Sequence, residues 1–140
     1  MLVRVGSPRK IPEIENVLTY LDAVIEQEAI PQDKRLLFFG FSQGVSIITR
    51  YIVKRKIKPA SILLYAGSIP NELTQEDFTH LDLERTQIKM IYGNQDHFLT
   101  PKRIKSELTK LEHLFKGQAE VIEFKGGHEL RPEILEKLSS

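Results

Sequence analysis

Three side chains of the kind that relay a proton stand in one order along the chain: Ser42, then Asp96, then His128. A serine hydroxyl is a weak nucleophile until a base takes its proton, and a neutral imidazole needs an orienting carboxylate. The set suits acyl transfer if the fold brings the three together. Ser42 is the centre of Gly40-Phe41-Ser42-Gln43-Gly44, which joins an apolar run to a helical pattern. Small residues two positions before and after the serine fit a strand-to-helix turn in which larger side chains would collide. Such a turn lifts the hydroxyl above a sheet edge, with the helix N-terminus behind it.

The elements that must position these residues are legible as alternating patterns. Residues 36–40, 61–66, 87–92 and 121–124 are short apolar runs that end at Gly, Ala-Gly or a polar loop, as parallel strands covered on both faces do. Steps of three and four in Ile14, Val17, Leu18, Leu21 and Ile25 predict a helix over 13–29, and a mostly apolar helix follows over 44–56. Thr100 and Pro101 form an N-cap and first turn for a helix over 101–115, with Ile104, Leu108, Leu111 and Phe115 inward and Gly117 as its stop. Residues 132–138 read as a short closing helix, 71–84 as an irregular or short helical excursion, and 1–12 as an irregular segment in which only Leu2, Val3 and Val5 suggest a strand. The alternation predicts one α/β domain over 1–140, with a mainly parallel sheet of at least four strands and right-handed crossovers. In such a sheet the loops after the first, third and fourth of these strands open on one edge. Asp96 closes Gly93-Asn94-Gln95-Asp96 and His128 closes Lys125-Gly126-Gly127-His128, so both are expected beside Ser42.

Composition narrows the partners. Twenty Lys and Arg against nineteen Asp and Glu give a net charge of +1, too small a field to gather nucleic acid or an anionic membrane. The chain has no cysteine, which excludes disulfides, thiolate metal sites and a Cys nucleophile and suits a reducing, cytoplasmic setting. Its apolar runs are far shorter than the ~20 residues of a transmembrane helix. His80 and His113 are expected to face solvent and His97 to serve its loop, giving no metal site, and the chemistry requires no cofactor. The cations between Lys54 and Lys58 suit a helix C-terminus.

Four segments together are specific: Phe39-Gly40-Phe41-Ser42-Gln43-Gly44, Ala66-Gly67-Ser68-Ile69-Pro70, Tyr92-Gly93-Asn94-Gln95-Asp96 and Gly126-Gly127-His128-Glu129. From about Glu13 to Leu138 the chain resembles the C-terminal two-thirds of the phospholipase/carboxylesterase family of α/β-hydrolases, which includes acyl-protein thioesterases. The resemblance implies a three-layer α/β-hydrolase fold and a small-molecule ester or thioester substrate. It implies Ser42 as nucleophile, His128 as general base and then acid, Asp96 as its orienter, and the Gln43 backbone N–H as an oxyanion donor. Val45 replaces the family's usual second glycine and His97 its usual proline. By the resemblance, the family's earlier strands and the loop that gives a second oxyanion donor are expected to be missing from this sequence.

Three further expectations follow. Sequential crossovers put helices 13–29, 44–56 and 101–115 on one face and leave the other to the closing helix, so the chain is expected to be truncated at its N-terminus, or paired as a homodimer over the bare face. The strand at 36–40 is expected to form an exposed edge. Leu73, Phe78 and Leu81 are expected either to line an acyl pocket over Ser42, Leu73 and Phe78 foremost, or to form a satellite core. Two other classes compete with a hydrolase: an inactive α/β-hydrolase-fold binding module, and a phosphate or nucleotide site cradled by Gly40 to Gly44. The last lacks the fuller glycine pattern and leaves Asp96 and His128 without a role.

Overall fold

The computed structural model describes residues 2–5 and 36–134; the helix read over 13–29 and the end of the closing helix lie outside them. Five strands form one sheet: β1 (Leu2–Val5), β2 (Leu37–Phe41), β3 (Ser61–Tyr65), β4 (Gln87–Gly93) and β5 (Glu120–Phe124). Their spatial order is their chain order and every neighbouring pair is parallel. Helix α1 (Gly44–Arg55) joins β2 to β3, and α2 (Pro101–Leu114) stands between β4 and β5. Among the described residues, the four strands and the two helices read over 44–56 and 101–115 are present, shifted by a residue or so at their ends.

Local chemistry sets the boundaries. The Thr100 hydroxyl accepts from the Arg103 N–H at 3.4 Å and Pro101 follows at the first helical position, which starts α2. Lys56, in the left-handed region at φ 51°, ends α1 with its N–H on the Ile52 carbonyl, and basic residues occupy the last turn. The excursion between β3 and β4 contains one short 3₁₀ turn, Gln75–Phe78, stapled by Asp77, whose carboxylate accepts from the Thr74 N–H at 2.8 Å.

Strand alternation divides the core in two. Phe38, Ile62, Leu64, Ile88 and Met90 pack with Val45, Ile48 and Ile52 of α1 and Ile104 and Leu111 of α2. Their neighbours Phe39, Leu63, Tyr65 and Ile91 face the other way, with Leu37, Phe41, Ile122, Phe124 and Ile134 packed against them. These four are 0 to 3% exposed, so the bare face expected from the helix count is corrected, and with it the reason for a second copy there. The exposed edge expected at β2 is corrected as well, because Leu2 to Val5 pair with Leu37 to Gly40. The stretch read as irregular over 1–12 therefore contains a strand. A four-residue run interrupted by Arg4 carries too little periodicity to announce itself, and its pairing partner lies 35 positions along the chain.

Register carries the result toward the site. Phe41 lies opposite Tyr65 and Gly93 opposite Phe124, so β2, β4 and β5 end nearly level and their following loops leave one edge of the sheet.

Candidate active site

Ser42 follows directly on β2, with its backbone in the left-handed region at φ 59°. For a residue with a Cβ this costs of order 1 to 3 kcal/mol and persists only where the surroundings enforce it. Here the Ser42 N–H donates to the Tyr65 carbonyl at 2.8 Å, and its carbonyl accepts from Val45 N–H at 3.1 Å as α1 begins. Gly40 is required by closeness: a Cβ there would stand 2.7 Å from the Gly44 carbonyl oxygen. The backbone geometry thus contains the collision that the glycine spacing implies.

The Asp96 and His128 loops are laced together beyond the ends of β4 and β5. Asn94 N–H donates to the Phe124 carbonyl at 2.9 Å and Gln95 N–H to the Gly126 carbonyl at 2.7 Å, and the Asn94 side chain accepts from Gly126 N–H at 3.3 Å. Gly93 permits this approach, since a Cβ there would lie 2.4 Å from the Gly126 oxygen. Across the laced loops, His128 Nδ1 lies 2.8 Å from Asp96 Oδ2, and His128 Nε2 lies 2.9 Å from Ser42 Oγ. A carboxylate only accepts, so Nδ1 carries the proton and Nε2 is left to accept from the serine hydroxyl. The imidazole contacts the rings of Phe41 and Phe98, with centroids 5.3 and 4.7 Å away.

Asp96 is buried, and its second oxygen accepts from the N–H groups of Phe98 at 2.7 Å and Leu99 at 3.1 Å. Burial disfavours its charge, but the His128 hydrogen bond and the two backbone amides outweigh that and hold the carboxyl below its ordinary value near 3.8. Ionised Asp96 therefore favours the folded chain above that ordinary value, a contribution lost as pH falls through the lower folded one.

Tyr65, at the end of β3, was not singled out by the sequence. Its side chain is fully buried, and its hydroxyl donates to the Glu129 carbonyl and accepts from Arg131 N–H, both at 2.8 Å. Burial is the main reason its pKa is raised, which keeps the phenol protonated and able to donate. These bonds hold the segment just after His128. The available signal was a lone hydroxyl in the buried run Ile62-Leu63-Leu64-Tyr65, which must find a partner. Tyr65→Phe is expected to lower kcat for an activated ester about tenfold while KM changes less than about twofold, as loosened orientation does. Steady-state kinetics beside a thermal melt would separate this from simple destabilisation.

A cavity of about 590 Å³ opens on Ser42 and His128, and Gln43, Ser68, Phe98 and Arg103 are among its lining residues. Leu73 and Phe78 are not, which corrects the acyl-pocket expectation. Phe78 is buried with its ring 4.9 Å from that of Phe115, and Leu73 packs against the same cluster. Apolar side chains beside α2 are drawn into the α-helical face of the core, away from the sheet edge. His80 is also corrected: it is half-buried and its Nε2 donates to the Ile57 carbonyl at 3.0 Å, whereas His97 and His113 are exposed.

The phospholipase/carboxylesterase family model matches residues 7–140. Among solved structures, the Zea mays acyl-protein thioesterase 2 is similar with a TM-score of 0.66 at 14% identity, covering 94% of this chain and 65% of its own. Arabidopsis thaliana SOBER1 gives 0.63 at 17%, covering 94% and 64%. A protein of unknown function from Agrobacterium tumefaciens gives 0.62 at 20%, covering 89% and 59%. This chain thus spans less than two-thirds of the length of each of these structures, and the likeness is one of fold. No curated protein matches the sequence.

Proposed function

The chain belongs to the phospholipase/carboxylesterase family, and from that premise we propose that it is a serine hydrolase cleaving carboxylic esters or thioesters through an acyl-enzyme on Ser42. The observation that carries the proposal is the unbroken relay from Asp96 through His128 to Ser42, with contacts of 2.8 and 2.9 Å. Two loops from separate strands meet to make it, and an anion cradle at the start of α1 would need neither.

In the proposed reaction, Ser42 Oγ attacks the substrate carbonyl carbon while its proton passes to His128 Nε2. Asp96 stabilises the imidazolium that forms and keeps its own charge. As the tetrahedral intermediate collapses, the bond to the leaving group breaks, and Nε2 returns the proton to the departing alkoxide or thiolate. A water then attacks the acyl-serine, giving its proton to Nε2, and the carboxylic acid leaves as Ser42 regains its hydrogen. The Gln43 backbone N–H, next to Ser42 at the start of α1, is the proposed donor to the oxyanion. The lack of cysteine supports a reducing, cytoplasmic setting for this activity, and among the described residues no helix is long and apolar enough to cross a membrane.

Stopped-flow mixing with 4-nitrophenyl hexanoate tests the covalent step. A burst of 4-nitrophenol equal to the enzyme concentration, followed by slower steady release, is expected when deacylation limits turnover. Release no faster than in buffer would speak for an inactive binding module instead.

A further inference from the structure

Resting on that hydrolase reading, we infer that the site selects esters or thioesters that carry an anionic group, a carboxylate or a phosphate, a short distance from the scissile carbonyl, and that Arg103 is the residue that selects them. Arg103 lies in the first turn of α2 and lines the cavity onto which Ser42 and His128 open. Among the described residues that line the cavity, Arg103 alone carries a permanent charge.

The surroundings of the guanidinium fix its place without cancelling its charge. One terminal nitrogen donates to the Phe98 carbonyl at 3.0 Å, and the other donates to the Ser68 hydroxyl at 3.2 Å. Both acceptors are neutral. No Asp or Glu of the described residues pairs with Arg103, whereas Arg50 has Glu72, Arg85 has Asp82 and Arg131 has Glu129. The guanidinium has five N–H donors, and these two contacts use the minority of them. A fork held on two sides and still cationic is pre-organised for a planar or tetrahedral anion.

Beside the polar Gln43, Ser46 and Ser68, the lining includes Ala66, Gly67, Phe98 and Leu99, which fit an apolar connection between that anion and the reacting carbon. Ala66 and Gly67 offer almost no side chain, and Phe98 is 63% exposed with its ring against His128. A ring so exposed, against His128 and on a residue whose carbonyl also positions Arg103, gives the cavity an apolar wall. The substrate class is therefore an acyl compound with a few apolar carbons between its ester or thioester and its charge.

The test compares kcat/KM for charged and neutral esters of matched size. 4-Nitrophenyl hemiadipate against 4-nitrophenyl hexanoate places the charge on the acyl side; 4-carboxyphenyl hexanoate against phenyl hexanoate places it on the leaving group. Each is measured for the unaltered chain, Arg103→Gln and Arg103→Lys. In at least one pair, Arg103→Gln is expected to lower the charged-to-neutral ratio about 10- to 100-fold, the range of one charge-assisted hydrogen bond. Arg103→Lys is expected to keep part of it, and the responding pair identifies which side of the substrate carries the anion. Ratios unchanged by Arg103→Gln in both pairs, with the neutral esters still turned over, would overturn this inference and leave the hydrolase reading intact. No turnover of any of the four esters by the unaltered chain would overturn both.

Discussion

Asp96→Asn is expected to lower kcat for ester hydrolysis about ten-thousandfold while leaving the fold in place. The reason lies in the two oxygens of Asp96. One accepts from the Phe98 and Leu99 amides, and asparagine can meet that demand only by turning its carbonyl oxygen toward them. Its NH₂ group must then face His128 Nδ1, which becomes an acceptor, and the imidazole proton moves to Nε2. A protonated Nε2 cannot take the Ser42 proton. The backbone amides thus dictate which way the amide turns, so the loss follows from the wrong tautomer with the loop still satisfied. Kinetics with an activated ester, beside unchanged far-ultraviolet circular dichroism, would check both halves; a loss under tenfold would remove Asp96 from the relay.

The largest effect on stability is expected at Glu107, far from the relay in chemistry but joined to the cavity wall. Glu107 is 6% exposed, accepts from the Ile69 N–H at 3.2 Å, and pairs with Lys110 Nζ at 2.9 Å. Lys110 in turn donates to the Ile69 carbonyl at 2.7 Å, so both backbone groups of Ile69 are held by α2. Glu107→Ala would leave an ammonium group and a backbone N–H without their partner. Removing one member of a buried pair costs about 3 to 5 kcal/mol, and the lower end applies because Lys110 keeps some solvent contact. A fall in Tm of roughly 10 °C is expected for a domain of this size. The double variant Glu107→Leu, Lys110→Met should recover most of it, since two well-packed apolar groups leave no buried charge. A single variant that melts with the unaltered chain would show the pair to be dispensable.

The relay was legible because its members are punctuated by their neighbours. Glycine spacing around Ser42 is a constraint on backbone approach, and the structure places a collision at Gly40 where the spacing implies one; the close approach at Gly93 emerges only from the folded loops. The parallel order of strands did the remainder, since it puts the three following loops on one edge whatever their separation in sequence.

The illegible parts share a different cause. β1 depends on a partner far along the chain, and Leu73 and Phe78 show no sign of which face will claim them, because apolarity has no direction without packing. His80 is half-buried, and its partner, the Ile57 carbonyl, lies 23 positions away in the chain. Tyr65 and Arg103 do not stand out in the sequence for a related reason: each draws its meaning from contacts, one with the segment after His128, the other with Ser68 and the Phe98 carbonyl. A motif shows where the reacting atoms belong, and the residues that steady and select are found only when neighbours are known.

The most direct measurement on the central claim is the intact mass of the chain before and after a fluorophosphonate, which adds covalently only to an activated serine. The account predicts one adduct per chain on the unaltered protein and none on Ser42→Ala. An unmodified mass for the unaltered chain, or an adduct that survives Ser42→Ala, would contradict it.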